Sequence, residues 1–175
     1  MVRRARAAPP LVSRGAVTAA RQAVEWRRRS ATPAHQVEDP YDLTRFVKAQ
    51  EPHYAQALAE LNRGAKRSHW MWYIFPQLQG LGSSPTAVAF AIGSLAEARA
   101  YLAHPLLGPR LRECTQCVLA LPECTARELF GYPDDLKFRS CMTLFAHADP
   151  AGPWRAALTR YFAGAEDSRT RELLT

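Results

Sequence analysis

The sequence predicts an all-α protein: a single compact domain of several short helices around a buried aromatic helix, preceded by a disordered basic tail. Apolar residues recur every three or four positions along most of residues 38–175, which is the period of one helix face. Alternating strand patterns and the Asn-Gly or Asp-Gly turns of hairpins are absent. Pro and Gly interrupt the apolar stripes at short intervals, so the helices are expected to be short.

Start signals place these helices along the chain. A Ser, Thr or Asp side chain accepts hydrogen bonds from the free N–H groups of a first helical turn, and Pro fits the first helical position. The pairs Ser94–Glu97 and Thr125–Glu128 also have the spacing of a capping box. The predicted starts are Asp42, Pro52, Ser84–Pro85, Ser94, Thr125, Asp134, Pro153 and, for a last short helix, about Arg169.

The stretch SHWMWYIF, residues 68–75, is predicted to be the buried central helix. It is apolar on nearly every face, as helices in a protein interior are. Pro76 is expected to end or kink it. Gly64, Gly131 and Gly164 are the predicted C-terminal stops of other helices.

The positive charge of the chain belongs to its first 37 residues. The whole chain carries a formal net charge of +7. Residues 1–37 contain eight arginines and one acidic residue, whereas residues 38–175 contain fifteen basic and fifteen acidic residues. The first segment is therefore predicted to be a disordered Arg/Ala/Pro-rich tail. Three interpretations stay open: an inert or wrongly assigned start, which is favoured, a basic arm for nucleic acid or another anion, and an organelle-targeting peptide.

Composition excludes several classes of protein. No apolar run approaches the length of a membrane span, and no secretory signal is recognisable. Four cysteines without such a signal predict reduced thiols in a cytoplasm. Cys114 and Cys117 form a C-x-x-C on an apolar helix stripe without a second such pair, which predicts core thiols rather than a zinc site. Phosphate-loop, dinucleotide and hydrolase motifs are absent, so no metal and no cofactor is predicted.

The segment around the aromatic helix is the candidate binding site. Within 20 residues it combines a cation, an imidazole, stacking rings and glycine-rich backbone, which suits a small anionic aromatic ligand such as a nucleotide. The competing interpretation is a core helix whose polar groups bond to each other. His69 is the candidate acid or base if the ligand is also processed. The candidate binding residues here are Lys66, Ser68, Trp70, Trp72, Gln77, Gly80 and Gly82.

Two residues of a later helix are predicted to complete this site from across the core. Lys137 and Ser140 lie one helical turn apart in the stretch that follows Asp134. For Lys137, an ion pair with Asp134 on the surface is an equal alternative. Asp134 itself is predicted to cap the helix.

Long stretches of the chain carry a family resemblance. They are YDLTRFVKAQEPHYAQALAELNRGAKRSHWMWYIFPQLQGLG, EARAYLAHPLLGPRLREC and FGYPDDLKFRSCMTLF. From about Asp39 to Leu174 the chain resembles the bacterial domain-of-unknown-function family 1810, often labelled calpastatin. The resemblance implies a mainly α-helical single domain and no established function. The calpastatin label fits poorly, because a calpain inhibitor is a long disordered repeat protein.

Three functions remain open at the level of the sequence. The favoured one is a cytoplasmic monomer that binds, and in one version processes, a small anionic aromatic ligand, nucleotide-derived or similar to ADP-ribose. The second is a non-enzymatic protein-interaction module with exposed aromatic residues. The third is nucleic-acid binding through the basic tail.

Overall fold

Ten helices and no strand make up the part of the chain that the computed structural model describes, residues 39–175. The predicted all-α class is therefore confirmed. The predicted tail, residues 1–37, lies outside the described residues, as does residue 38. The helices are α1 (Thr44–Gln50), α2 (Tyr54–Asn62), α3 (Met71–Ile74), α4 (Pro85–Ala89), α5 (Leu95–Ala103), α6 (Leu107–Ala120), α7 (Ala126–Phe130), α8 (Asp134–Ala148), α9 (Trp154–Phe162) and α10 (Ser168–Leu174).

α8 is the central helix of this fold. It packs against α5, α7, α9 and α10, while α6 packs against α2, α5 and α9. Nine of the fifteen residues of α8 are buried, which is more than one amphipathic face supplies. The buried residues between Phe138 and Phe145 therefore serve several neighbouring helices at once.

The predicted buried aromatic helix is present, but it is a single turn, Met71–Ile74. Trp70 is 1% exposed and Phe75 is fully buried. The Phe75 ring packs edge-on against the rings of Phe130 and Phe138, with ring centres 5.9 and 5.0 Å away. Aromatic pairs prefer this geometry over a face-to-face sandwich. Phe75 thus anchors the C-terminal end of α3 against α7 and α8, while the helix itself packs against α1 and α6.

The predicted cap at Asp42 is wrong, and Asp39 takes its place. The Asp39 carboxylate accepts hydrogen bonds from the N–H groups of Leu43 and Thr44, at 2.7 and 2.8 Å. Asp42 lies in the tight turn between them with a φ of 48°. That left-handed conformation is one that Asp tolerates better than most residues.

Three other predicted caps are confirmed. Ser84 and Ser94 accept hydrogen bonds from the third N–H of α4 and α5, both at 3.1 Å. Thr125 forms the complete capping box with Glu128. The box predicted for Ser94 is only half formed, because the Glu97 carboxylate binds Arg45 and the N–H of Gly93 instead. The ion pair of Glu97 with Arg45 of α1 thus replaces the local bond between Glu97 and the N–H of Ser94.

An isolated parallel bridge pairs Leu78 with Ile92 and joins the two ends of the loop between them. The N–H of Gln79 donates to the Ile92 carbonyl and the N–H of Ile92 donates to the Gln77 carbonyl, both at 2.9 Å. Leu78 and Ile92 are 5% and 0% exposed. The intervening loop, which contains α4, is therefore anchored in the core at both ends.

Gly108 allows the close approach of α5 and α6. A Cβ atom at this position would lie 2.1 Å from the carbonyl oxygen of Leu102. No real Cβ atom occupies that distance, so the helix crossing needs glycine here.

The four cysteines are free thiols, of which Cys114 and Cys141 are buried and Cys117 and Cys124 are partly buried. Burial raises the pKa of Cys114 to about 12 and that of Cys141 well above its usual value. Such thiols remain protonated and act as small apolar groups. Among the described residues, no cluster of His, Cys, Asp and Glu has the geometry of a metal site. No helix of residues 39–175 is long and apolar enough to cross a membrane.

Candidate functional site

Glu60 organises the segment that leads into the aromatic helix. The residue is only 3% exposed, although it lies in the last turns of α2. Its carboxylate accepts hydrogen bonds from the N–H groups of Arg67 and Ser68, from the Ser68 hydroxyl and from Trp70 Nε1, at 2.6–3.0 Å. One buried carboxylate therefore fixes the backbone and the indole ring of residues 67–70.

The pKa of Glu60 shows which effect dominates in this cluster. Burial disfavours the charged carboxylate and by itself raises the pKa. The hydrogen bonds from Ser68, from the Arg67 backbone and from Trp70 act in the opposite direction and lower the pKa to about 2. Glu60 is therefore ionised at neutral pH, with its lone pairs used inside the protein.

Asp134 joins two lysines that are far apart in sequence. One carboxylate oxygen lies 2.7 Å from Lys66 Nζ and the other lies 2.7 Å from Lys137 Nζ. Lys66 also donates to the Ser68 carbonyl at 2.7 Å, and its ammonium lies 5.0 Å from the centre of the Trp70 ring. The Lys66 side chain is only 8% exposed, so its charge is buried and compensated.

Asp134 therefore has a different role from the predicted N-cap. The cap position of α8 is Pro133, and the Asp134 carboxylate bonds to lysines rather than to the N–H groups of the first turn. Burial alone would raise the pKa of Asp134, but the hydrogen bonds and charges of Lys137 and Lys66 lower it. The predicted ion pair of Lys137 with Asp134 is present, and it forms part of a larger charged cluster.

An open cavity of about 500 Å³ begins at this cluster. We call it the Trp72 groove. It runs between the loop that carries α4 on one side and α8 with the start of α10 on the other. Its lining residues are Trp72, Gln77, Leu81, Gly82, Ser83, Ser84, Ala87, Pro133, Leu136, Lys137, Ser140, Asp167 and Arg169.

The Trp72 ring is the aromatic wall of this groove. Lys137 Nζ lies 4.3 Å from the centre of the ring, a distance typical of a cation–π contact. Unlike Trp70, Trp72 is only partly buried, and its indole N–H donates no hydrogen bond within residues 39–175. Trp72 thus offers both a ring face and a free donor to a molecule in the groove.

The loop opposite Lys137 contributes backbone donors. Within the described residues, the N–H groups of Gly82, Ser83 and Ser84 donate no hydrogen bond. All three residues are exposed and line the groove. Gly82 is needed for the loop path, because a Cβ atom there would lie 2.7 Å from the Cβ of Ala87. Free backbone N–H groups beside a lysine favour an anionic ligand.

A second, smaller cavity of about 230 Å³ adjoins the groove and shares part of its wall. We call it the small compartment. No charged residue lines it. Its lining residues are Trp72, Gln77, Leu78, Gln79, Gly80, Gly82, Ala87, Val88, Phe90 and Ala91.

A more spacious cavity, with a volume of about 680 Å³, lies elsewhere, beside Leu121 and Tyr161. Its one arginine, Arg160, already donates to the carbonyls of Leu119, Leu121 and Pro122. Its Glu128 already serves the capping box of α7. The polar groups of this cavity are thus largely used by the protein itself, so the Trp72 groove is the better candidate site.

The structure brings together most of the residues proposed from the sequence. Five line the groove from both sides: Trp72, Gln77, Gly82, Lys137 and Ser140. Gly80 lines the small compartment.

The other four predicted residues lie behind or outside the groove. Ser68 and Trp70 bind Glu60, and Lys66 reaches the groove only through Asp134. His69 is exposed, and its side chain lines neither cavity. Acid–base chemistry by His69 stays a prediction from the sequence, because the His69 side chain lines neither of these cavities.

Sequence reasoning missed two residues of the site. Glu60 has no motif that marks it, because a glutamate late in an amphipathic helix resembles an ordinary surface residue. Arg169 lines the groove from α10, and only the fold places it there.

One family model matches nearly all of the described part of the chain. Residues 40–174 match the family described as "Protein of unknown function (DUF1810)". A conserved hypothetical protein from Mycobacterium tuberculosis, for which a crystal structure exists, is 56% identical in sequence to this chain, and the two structures have a TM-score of 0.77. That match covers 78% of this chain and 98% of the other. Comparison with curated proteins gives no significant match.

Proposed function

Because the chain belongs to the DUF1810 family, for which no function is described, we propose a function from its own groove: the domain binds a small anionic ligand that carries a planar ring, of the nucleotide class. The observation that carries this proposal is the contact between Lys137 and Trp72, which puts a cation and a partly exposed ring in one cavity. Planar anionic molecules need both groups.

The electrostatics of the groove support an anion. Lys137 shares the single carboxylate of Asp134 with Lys66, so this trio of charges carries an excess of one positive charge. Arg169, at the start of α10 on the same side of the groove as Lys137, adds a second cation, which is paired with Glu172 at 3.4 Å. Asp167, the other carboxylate there, already accepts from the N–H and hydroxyl of Thr170 at 2.8 and 2.6 Å.

Binding is the proposed function, without a chemical step. No described group in the groove combines a nucleophile with an adjacent base, which covalent catalysis requires. The Ser140 hydroxyl, for example, donates to the Leu136 carbonyl of its own helix. His69, the residue predicted for acid–base chemistry, lies outside the cavity.

The test is calorimetric titration of the full chain with adenosine 5′-monophosphate and with related nucleotides. Lys137→Met is expected to weaken binding by about ten- to a hundredfold, because one charge-assisted contact is worth about 1.5–3 kcal/mol. Trp72→Ala is expected to weaken it by a similar factor through loss of stacking. Arg99→Met is the matched control, since Arg99 is exposed and lines neither cavity. Equal losses in the control, or no binding by the folded wild type, would contradict the proposal.

A second candidate function, protein interaction, is favoured by the apolar residues near the groove. Among residues 39–175 the exposed large apolar side chains are Val88, Tyr132, Leu136 and Leu173, at 58, 70, 47 and 41%. Val88 and Leu136 line the two cavities, and Tyr132 precedes Pro133 of the groove. Tyr132→Ser separates the two candidates: it leaves the affinity for a small ligand unchanged, whereas a protein partner that covers this rim is lost.

A further inference from the structure

The two cavities are neighbours that share one wall. Trp72, Gln77, Gly82 and Ala87 line both of them. The larger volume, about 500 Å³, lies within the range of roughly 300–1,000 Å³ found for small-molecule sites. The smaller one, about 230 Å³, is below that range, as expected for a subsite that takes only one part of a ligand.

The two parts differ in chemistry. Lys137, Asp167 and Arg169 line the Trp72 groove, whereas the small compartment has no charged lining residue. Burial of a charge without a partner is costly, so an anionic group belongs in the groove. An uncharged group belongs in the small compartment, beside the Phe90 ring and the apolar side chain of Val88.

Two side-chain amides can read the edge of an uncharged ring in the small compartment. Gln77 donates through Nε2 to the Phe75 carbonyl at 3.2 Å, and its oxygen accepts no hydrogen bond within the described residues. The Gln79 amide makes no side-chain hydrogen bond within the same part of the chain. An amide presents both a donor and an acceptor, which is the pattern on the edge of a nucleobase.

The charge of the groove limits the charge of its ligand. The cations are Lys66, Lys137 and Arg169, and the carboxylates paired with them or beside them are Asp134, Asp167 and Glu172, which lies 3.4 Å from Arg169. The three positive and three negative charges balance. A groove without a large excess of positive charge matches a single phosphate beside Lys137 better than a chain of phosphates, whose further charges would find no counterpart.

We propose that the ligand has two parts and is a nucleoside monophosphate. This inference rests on the proposed function and specifies its substrate class. The base occupies the small compartment, beside Trp72 and the amides of Gln77 and Gln79. The phosphate occupies the groove between Lys137 and the free N–H groups of Gly82, Ser83 and Ser84.

Calorimetry with the full chain tests the two-part ligand. The probes are the four common nucleoside 5′-monophosphates, then the nucleoside, the triphosphate and ribose 5-phosphate that correspond to the tightest of them. The monophosphate is expected to bind at least about tenfold more tightly than the nucleoside or ribose 5-phosphate, because each fragment fills one part only. The triphosphate is expected to bind no more tightly than the monophosphate.

Ala91→Leu narrows the small compartment, because Ala91 lines it and not the groove. It is expected to weaken the monophosphate about tenfold and to leave ribose 5-phosphate within about twofold. Ala89→Leu is the matched control: Ala89 is exposed two residues away and lines neither cavity. Thermal unfolding of both variants verifies that they are folded.

Each other outcome contradicts a specific statement. Tight monophosphate binding that Trp72→Ala abolishes but Ala91→Leu does not change would overturn the two-part site and leave the proposed function intact. Triphosphate binding more than about tenfold tighter would overturn the monophosphate class alone. Absence of binding by all nucleotides to the folded wild type would overturn both proposals together.

Discussion

Lys137 lies over the ring of Trp72, with its ammonium nitrogen 4.3 Å from the ring centre. The same ammonium is held by Asp134 at 2.7 Å. A planar ligand that stacks on the face of Trp72 that Lys137 covers must displace the ammonium group or insert between it and the ring. Such a move leaves the lysine close to the bound molecule, where its charge meets an anionic group.

Lys137→Met is expected to change the environment of Trp72 specifically. Loss of the cation over the ring alters the shielding of the indole N–H, whereas Trp154, which is fully buried, has no contact with Lys137. The measurement is a ¹H–¹⁵N spectrum, in which Trp72→Phe assigns the Trp72 indole signal. The stability is expected to fall by less than about 1 kcal/mol, the usual size of an exposed cation–π contact. Equal shifts of all indole signals would indicate a global change instead.

Glu60→Gln is expected to destabilise the domain by about 2–4 kcal/mol. The amide places N–H donors where the carboxylate accepts from Ser68 and Trp70, so buried donors lose their partner. Urea unfolding at neutral pH measures the loss. Glu51→Gln, at an exposed glutamate just after α1, is the control and should leave stability unchanged. A loss below about 0.5 kcal/mol would mean that Glu60 does not organise residues 67–70.

Stability is expected to fall as the pH drops from about 4.5 toward 2. The hydrogen bonds to Glu60 outweigh the effect of burial and lower the pKa of Glu60 from 4.5 to about 2. Lys137 and Lys66 likewise lower the pKa of Asp134 below its usual value of 3.8. A carboxyl group whose pKa is lower in the folded state stabilises that state above its unfolded pKa, and this contribution disappears as protonation sets in. Urea unfolding at several pH values between 7 and 2.5 measures the slope. Glu60→Gln should flatten it, and an unchanged slope would contradict the assignment.

Asp134→Asn is expected to cost about 3 kcal/mol or more, because it leaves the buried ammonium of Lys66 without its counter-charge. Lys66→Met in the same background is expected to restore part of the loss, since it removes the uncompensated charge. A double-mutant cycle measured by urea unfolding gives the coupling between the two residues. Simple additivity of the two changes would show that the ion pair does not contribute.

Gly108→Ala is expected to cost about 3 kcal/mol or more of stability, or to prevent folding. Alanine favours a helix interior by about 1 kcal/mol over glycine. That gain is outweighed here, because the added Cβ would lie 2.1 Å from the Leu102 carbonyl oxygen. Thermal unfolding measures the effect. Gln116→Ala, at an exposed position on the same helix, is the control and should be neutral or slightly stabilising.

The predictable part of this protein is local. The caps at Ser84 and Thr125 and the burial of most of the apolar residues of SHWMWYIF follow from short sequence patterns, and the structure confirms them; within that stretch His69 is exposed and Trp72 is partly buried. The membership of Trp72, Gln77 and Gly82 in one site follows from their closeness in the chain. The sequence also predicts Lys137 and Ser140 as site residues, but only the fold shows that their helix lies opposite the loop that carries α4.

The unpredicted part depends on contacts between distant residues. Asp134 was expected to bond to the N–H groups of its own helix, as aspartates at helix starts commonly do. Two lysines, one of them 68 positions earlier in the chain, compete for the same carboxylate and bind it instead. Asp39 replaces Asp42 as a cap for a similar reason, because the geometry of the turn decides which carboxylate reaches the free N–H groups.

The bridge between Leu78 and Ile92 keeps the two ends of the intervening loop in place while the exposed part of that loop varies. Two main-chain hydrogen bonds and two buried side chains hold its ends, and these depend little on the residues in between. Residues 79–91 supply one wall of both cavities, whereas the opposite wall of the groove comes from the central helix. Substitutions at the exposed positions of such a loop cost little stability, whereas Gly82, which the loop path requires, and Phe90, which packs against Phe46 and Tyr73, are constrained. A change in this loop therefore alters one wall of both cavities, while the helical core and the lysine–aspartate cluster stay as they are.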